Sequence, residues 1–228
     1  MAKKSIKEVR QDELSQAAFE ILVEFGIRGT TIDRIAKRAG ISKGVVLHYF
    51  KDKDALFEAV MRRANTLLRD GVIELLRHAE TPMERLSAII VGNFSDPVFY
   101  QEVCRAWISL CADAPYNQQN QRIQTVIHAR MQSNLLSALS PIMERELAEK
   151  IAFQISTAID GVWLRASVQQ TPMSSQQGIG YVNETVLLTL SNTSISPVSF
   201  KQATAKMENL GGIILNSKAF SEKALSVR

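Results

Sequence analysis

Residues 26–57 read GIRGTTIDRIAKRAGISKGVVLHYFKDKDALF, and the spacing of their apolar residues predicts consecutive short helices. The apolar residues of the first half recur at the spacing of one helix face: Ile32, Ile35, Ala36 and Ala39. We expect this helix to begin after Thr31 and to end at Gly40. Ser42, a favoured N-cap residue, then starts another helix that runs to about Tyr49. Two helices joined by a short turn containing glycine form a helix-turn-helix motif.

The flanking segments complete a small helical domain around this motif. Upstream, apolar residues at helical spacing predict a first helix that ends at Gly26: Leu14, Ala17, Ala18, Ile21, Leu22 and Phe25. Downstream, Asp52 is expected to cap a long fourth helix that reaches about His78. Phe50 is expected to anchor the third helix to the first.

The third helix has residues suited to the major groove of DNA. A helix-turn-helix directs the N-terminal residues of its second helix toward base edges, and large side chains would hold that helix away. Gly44 and Val46 are small enough to allow a close approach. Lys43 can donate a hydrogen bond to guanine or to phosphate. His48 can reach either, and Tyr49 offers a hydroxyl to a phosphate oxygen.

Phosphate contacts are expected where the neighbouring helices begin. Thr31, preceded by Thr30, places a hydroxyl and backbone N–H groups at the start of the second helix. Ser42 does the same for the third helix, and Lys53 adds positive charge in the first turn of the fourth. Such contacts position a protein on DNA without reading sequence. A helical bundle with a solvated lysine-rich face explains the same periodicity, so the spacing alone leaves both interpretations open.

The motif as a whole favours a DNA-binding helix-turn-helix over a helical bundle with a solvated face. Residues 26–57 resemble the DNA-binding domain of the TetR family of bacterial repressors. The matching positions are Gly26, Thr30-Thr31, Ile35-Ala36, Ala39-Gly40-Ile41-Ser42, Gly44, His48-Tyr49-Phe50, Lys53 and Leu56. The resemblance implies a dimeric repressor whose C-terminal helices bind a small ligand. It also implies that Lys43, Tyr49 and Lys53 lie at the DNA.

The composition is that of a globular protein. Of the 228 residues, 46% are hydrophobic and 22% are charged. The net charge of +4 permits a polyanionic partner without requiring one. No apolar run approaches the length of a membrane span, and the N-terminus lacks the apolar core of a secretory signal. We therefore expect a cytoplasmic protein with no membrane partner.

Helix breakers divide the rest of the chain, and no segment has the period-two pattern of a strand. Further helices are expected at about 82–94, 99–112, 118–140, 143–170 and 175–190. The predicted fold is all-α, with an N-terminal three-helix helix-turn-helix domain and a C-terminal helical domain for ligand binding and dimerisation. The predicted boundaries are 1–52, 53–190 and a tail at 191–228. The sequence does not determine the structure of the tail, but it permits short helices at 198–209 and 216–225.

The C-terminal domain has residues suited to a cationic ligand. A quaternary ammonium forms no hydrogen bond at its nitrogen and binds over aromatic faces, at about 0.5–2 kcal/mol per contact. Asp160 and Trp163 lie three residues apart, on one helix face. The candidate ligand-binding residues are Phe94, Trp107, Tyr116, Asp160 and Trp163. Aromatic residues also serve as core, and Asp160 could instead pair with Arg165 or Arg130.

A second resemblance narrows the choice of effector. GNF at 92–94, Trp107, RIQTVIHARMQSNL at 122–135 and AIDGVWLR at 158–165 resemble the C-terminal domain of choline-responsive repressors of betaine synthesis. The resemblance implies choline or a related quaternary ammonium as effector and control of genes that convert choline to glycine betaine. The alternative is a TetR-type regulator of another operon, such as efflux or catabolism, with a different hydrophobic or cationic ligand. The tail after about residue 190 is longer than is usual in the family.

A homodimer on double-stranded operator DNA is expected, because one recognition helix reads only a few base pairs. The helices at 143–170 and 175–190 would form a four-helix interface with the partner. One apolar face is a candidate for that interface or for the core beneath it: Ile151, Ile155, Ile159 and Val162. A sequence-independent architectural DNA binder would instead hold any duplex, with a steep dependence on salt.

Enzymatic function has little support. His48, His78 and His128 are scattered and have no partner at metal-ligand spacing. There is no glycine-rich phosphate loop and no Gly-x-Ser-x-Gly elbow, so neither a catalytic site nor a metal or cofactor is expected. Cys104 and Cys111 are interpreted as small apolar residues of the core, with a redox sensor as the alternative.

Overall fold

The computed structural model describes residues 5–96, 98–191, 193, 195–217 and 220, apart from the side chain of Lys53. These residues form ten α-helices and no strand, which confirms the predicted all-α fold. The helices are α1 Ile6–Gly29, α2 Ile32–Arg38, α3 Lys43–Tyr49, α4 Lys53–Leu76, α5 Pro82–Asn93, α6 Gln101–Asp113, α7 Gln118–Leu139, α8 Arg145–Val168, α9 Ser175–Leu190 and α10 Pro197–Ile214. Across this part of the chain, no helix has the length and apolar character needed to cross a membrane.

Helices α2 and α4 begin at the predicted caps. The hydroxyl of Thr31 accepts a hydrogen bond from the backbone N–H of Arg34 at 3.3 Å. The carboxylate of Asp52 accepts one from the N–H of Ala55 at 2.8 Å, at the start of α4. The turn between α2 and α3 passes through Gly40, whose φ of 66° lies in the left-handed region that glycine adopts without strain. Local chemistry therefore sets the helix-turn-helix geometry.

The first three helices and the first half of α4 share one apolar core. Phe50 is buried in this core, as predicted, together with Leu56 and Met61 from α4. Leu110 of α6 and Ile127 of α7 belong to the same cluster, so the N-terminal unit packs directly on the C-terminal helices. The predicted domain boundary at residue 52 stays a prediction, although the shared core extends past it into α4.

The second core is built around α5, which packs against α4, α7, α9 and α10. A Cβ atom added to Gly92 would lie 2.8 Å from the Cα atom of Val72, so the close approach of α4 and α5 depends on glycine. Ile151, Ile155 and Ile159 are buried in this core rather than exposed for an interface, while Val162 is partly buried against it.

The tail contains a longer helix than the sequence suggested. The expected helix at 198–209 is instead α10, Pro197–Ile214, with proline in its first turn. Phe200 and Met207 on its apolar face are buried, and the hydroxyls of Thr204 and Ser87 lie 3.2 Å apart within the packing of α10 on α5. Most of the expected helix at 216–225 lies outside the described residues.

Candidate DNA interface and effector cavity

The predicted recognition helix α3 presents a polar face to solvent. Ser42, Lys43, Gly44 and His48 are exposed, and Tyr49 is partly buried. Lys43 Nζ lies 3.2 Å from the carboxylate of Asp33, and both side chains are more than half accessible. An exposed pair of this kind contributes little free energy, so the ammonium can exchange its carboxylate for a phosphate.

The geometry around α3 leaves its N-terminal end open. A Cβ atom on Gly44 would meet nothing closer than the Ser42 hydroxyl, at 3.9 Å, so packing within the protein does not require glycine there. The Ser42 hydroxyl accepts a hydrogen bond from the N–H of Val45 and caps the helix. At the other end, the amide of Gln11 donates to the carbonyl of Tyr49 at 3.2 Å and ties α3 to α1.

Two residues that were predicted to contact DNA are instead buried in the protein. Val46 is fully buried in the N-terminal core, so its side chain faces α1 and α4 rather than solvent. Thr30 is also buried, and its hydroxyl donates to the carbonyl of Gly26 at 2.8 Å. These side chains hold α3 and the end of α1 in place. The side chain of Lys53 lies outside the described part, so its DNA contact stays a prediction.

The exposed face of α3 also has an apolar part, and Leu47 in it was not among the predicted DNA contacts. Leu47 and Val45 are both exposed on α3, between Lys43 and His48. An apolar side chain in this position can contact the methyl group of thymine. The exposure of Leu47 was predictable from the sequence. Val46 and Phe50 lie four residues apart on the buried face of the helix, which places Leu47 on another face.

The C-terminal domain has a cavity of about 500 Å³ that is open to solvent and bordered by α4, α5, α6, α7 and α8. Trp107 and Trp163 both line it, with their ring centroids 6.2 Å apart and their planes inclined by 62°. Asp160 and Phe153 line it from α8. The cavity therefore unites aromatic faces with a carboxylate, as a cationic ligand requires.

Asp160 faces histidine rather than arginine. Its carboxylate lies 3.9 Å from His128 Nε2, so neither of the suggested pairings with Arg165 or Arg130 is made. Partial burial raises the pKa of Asp160, and the nearby His128 opposes that rise. The side chain remains 60% accessible to solvent, which favours the charged form of the carboxylate.

Phe94 and Tyr116 do not line this cavity. Phe94 is fully buried behind it and packs edge-to-face on Phe99, which packs in the same way on Trp163. Tyr116 lies at the end of a single 3₁₀ turn between α6 and α7 and is 90% exposed. The prediction for Tyr116 is therefore wrong, while Phe94 supports the cavity wall from behind.

The cysteines are thiols with little tendency to ionise. Burial raises the pKa of Cys104 to about 12 and that of Cys111 to about 11. The thiolate is the reactive form of cysteine, so both residues are poor redox sensors. This favours their interpretation as small apolar residues.

Known families match both halves of the chain. Residues 14–60 match the model of bacterial regulatory proteins of the tetR family, and residues 82–190 match that of the C-terminal domain of BetI-type transcriptional repressors. The HTH-type transcriptional regulator BetI of Escherichia coli K12 is 36% identical over 176 residues, which cover 76% of this chain and 90% of that protein. The match to the C-terminal family model ends at residue 190, before α10.

Solved structures share the fold. A transcriptional regulator from Rhodococcus sp. RHA1 superposes with a TM-score of 0.73 at 22% identity, over 82% of this chain and 99% of that one. A regulator from Saccharomonospora viridis, solved in complex with choline, gives a TM-score of 0.68 at 15% identity, over 78% and 95% of the two chains. Regulators of this type bind operator DNA, typically as dimers with a small-molecule effector, and are not enzymes. The chain therefore belongs to the TetR family of bacterial regulatory proteins and is a BetI-like transcriptional regulator.

Proposed function

We propose that this protein is a homodimeric cytoplasmic repressor whose operator binding is controlled by choline or a related quaternary ammonium, and that it controls choline-to-glycine-betaine genes. The observation that carries the proposal is the placement of Trp107, Trp163 and Asp160 around one cavity. Two indole faces and one carboxylate attract a cation that can form no hydrogen bond at its nitrogen. The choline complex of the S. viridis regulator, which shares this fold, agrees with this effector class.

The proposed DNA contacts lie on α3 and at the start of α2. Lys43, His48 and Leu47 are exposed and would meet base edges or phosphate. The hydroxyls of Thr31 and Ser42, with the backbone N–H groups behind them, would meet phosphate oxygens. Gly44 would allow α3 to approach the base edges closely. Tyr49, at the end of the helix, would reach the phosphate backbone of the DNA.

The proposed dimer uses the outer faces of α8 and α9. Leu164 and Val168 on α8 and Tyr181 and Leu188 on α9 are large apolar side chains exposed to solvent. Apolar patches of this kind mark interaction surfaces. Two copies of the α8–α9 pair would bury them in a four-helix interface and would set the spacing between two recognition helices.

Helix α4 is the proposed connection between effector and operator. Its first half contributes Leu56 and Met61 to the core that holds α3. Its second half lines the cavity with Leu68 and Val72. An effector that prefers one position of α4 would shift the spacing of the recognition helices.

Titration of purified protein with choline, followed by tryptophan fluorescence, tests the effector. Both tryptophans of the chain, Trp107 and Trp163, line the cavity, so the signal reports directly on it. We expect a saturable change with choline and a much weaker response to ethanolamine, which lacks the methyl groups. An equal response to both amines would contradict an aromatic cage.

Selection of binding sites from a random DNA pool tests the operator proposal. A dimeric repressor should enrich one palindromic site, held far more tightly than unrelated duplex. Enrichment of no sequence would favour the architectural DNA binder instead.

Another effector is the second candidate. The cavity of about 500 Å³ lies within the range of pockets that hold drug-sized ligands, so a larger hydrophobic cation would also fit. Such a ligand would accompany control of an efflux or catabolic operon. Release of the selected operator by a larger cation, but not by choline, would favour this candidate.

A further inference from the structure

The cavity is lined by positively charged side chains as well as by the carboxylate of Asp160. Arg130 of α7 and Arg69 of α4 both line it, together with the amide side chains of Asn65 and Asn134. A site for a simple cation needs no guanidinium, because like charges repel. These two arginines therefore call for an explanation beyond the proposed binding of a quaternary ammonium.

The two arginines differ in how their charge is balanced. Arg69 donates two hydrogen bonds to one carboxylate oxygen of Asp70, at 2.8 and 2.9 Å. Arg130 donates to the amide oxygen of Asn65, and no carboxylate of the described residues lies within ion-pair distance of it. Asp70 attracts it only from farther away, while burial and the nearby Arg69 lower the pKa of Arg130.

An arrangement of this kind is electrostatically unfavourable within the protein itself. A partly buried guanidinium without a carboxylate partner loses hydration and gains no ion pair in return. The amide of Asn65 holds the guanidinium in place without neutralising it. A carboxylate on the ligand would supply the missing charge and accept two parallel hydrogen bonds from the fork of Arg130.

We propose, on the basis of the quaternary-ammonium site above, that the cavity recognises a trimethylammonium carboxylate, with the ammonium group at Trp107, Trp163 and Asp160 and the carboxylate at Arg130. Arg69 adds positive potential, and Asn65 and Asn134 supply polar side chains at the carboxylate end. Choline carries a hydroxyl in place of the carboxylate and would use only the first of these two subsites.

Tryptophan fluorescence titrations with three probes test the proposal. The probes are choline, glycine betaine and 4-trimethylammoniobutanoate, which places the same two charges farther apart. We expect at least one of the two carboxylates to bind about tenfold or more tightly than choline, the gain typical of a charge-assisted hydrogen bond. If choline binds as tightly as both carboxylates, the proposal is overturned.

Variants locate the carboxylate subsite. Arg130→Gln should weaken binding of the preferred carboxylate about tenfold and leave choline within about twofold, since choline has no group for this subsite. Arg122→Gln, on an exposed part of the same helix, is the matched control and should change neither affinity. Circular dichroism verifies that each variant is folded.

The outcomes separate this inference from the function on which it rests. An unchanged carboxylate affinity in Arg130→Gln, or an equal loss for choline and carboxylate, overturns the carboxylate subsite while the quaternary-ammonium site stands. A flat fluorescence trace with all three probes overturns both, because no trimethylammonium compound then binds.

Discussion

The indole Nε1 of Trp163 donates a hydrogen bond to the backbone carbonyl of Asn93 across 3.2 Å. This bond joins the C-terminal half of α8 to the end of α5, inside the C-terminal core. It fixes the plane of the indole ring, which also lines the cavity. The same residue therefore connects the stability of the domain to the proposed recognition of the effector.

Trp163→Phe should separate these two contributions. Phenylalanine keeps an aromatic face but leaves the buried carbonyl of Asn93 without its donor, which costs about 1–3 kcal/mol of unfolding free energy. Urea unfolding measures that loss. Choline affinity should fall by less than in Trp163→Leu, where the cation–π contact of about 0.5–2 kcal/mol is also lost. Equal choline affinity in the wild type and in Trp163→Leu would remove the indole from the site.

Lys43→Ala should weaken operator binding through a lost charge. If the ammonium contacts phosphate, the magnitude of the slope of log affinity against log salt should fall by about one. If Lys43 reads guanine instead, base preference at one position should relax. Lys201→Ala, on the exposed surface of α10, is the control and should leave both quantities unchanged. An unchanged affinity and base preference in Lys43→Ala would exclude either contact.

Val46→Ala and Leu47→Ala test the orientation of α3. Val46 is fully buried, so its truncation should lower the unfolding free energy by about 1–3 kcal/mol. Leu47 is exposed, so its truncation should change stability by less than about 0.5 kcal/mol and act on operator affinity instead. Denaturant unfolding and operator titration of both variants give the comparison, and the reverse pattern would contradict this orientation.

Gly92→Ala should destabilise the contact between α4 and α5. The added methyl group would meet the backbone of Val72 at 2.8 Å, and overpacking of this kind costs about 1–3 kcal/mol. Gly212→Ala in α10 is the matched control, because its Cβ would meet nothing within 4 Å. Thermal unfolding should show a lower midpoint for Gly92→Ala and no decrease for Gly212→Ala.

Leu188→Glu should disrupt the proposed dimer. The side chain is 73% exposed in the single chain, so a charge is tolerated there when the protein is a monomer. At the centre of a four-helix interface the same charge would be buried without a partner and would oppose association. Sedimentation velocity should show a dimer for the wild type and a monomer for the variant. A dimeric Leu188→Glu would place the interface elsewhere.

The helix-turn-helix was predictable because its determinants are local. Thr31, Ser42 and Asp52 cap helices through hydrogen bonds to residues three positions ahead, and Gly40 makes the turn by its own conformation. Such contacts depend on neighbours in the sequence and on little else. The orientation of Val46 was also within reach, because Phe50 repeats its buried face four residues later.

The cavity was predictable only in part, because tertiary packing decides which helices border it. Trp107 of α6 and Trp163 of α8 pack against each other and line the cavity, as predicted. Tyr116, which was predicted to join them, is instead exposed on a turn. Arg130 considered alone was a plausible partner for Asp160. Its actual neighbours, Asn65 and Arg69, come from α4, and no spacing along α7 indicates that contact.

Control of operator binding by the effector cavity can be tested directly in this chain. Fluorescence anisotropy with the palindromic DNA selected by the protein measures this control directly, at increasing choline and, in parallel, at increasing glycine betaine. We expect at least one ligand to change operator affinity by about 5-fold or more, the size of an ordinary allosteric coupling. Trp163→Leu should abolish that change while retaining affinity for the operator without ligand. If saturating ligand leaves operator affinity unchanged although the fluorescence titration shows binding, the proposed connection through α4 is wrong.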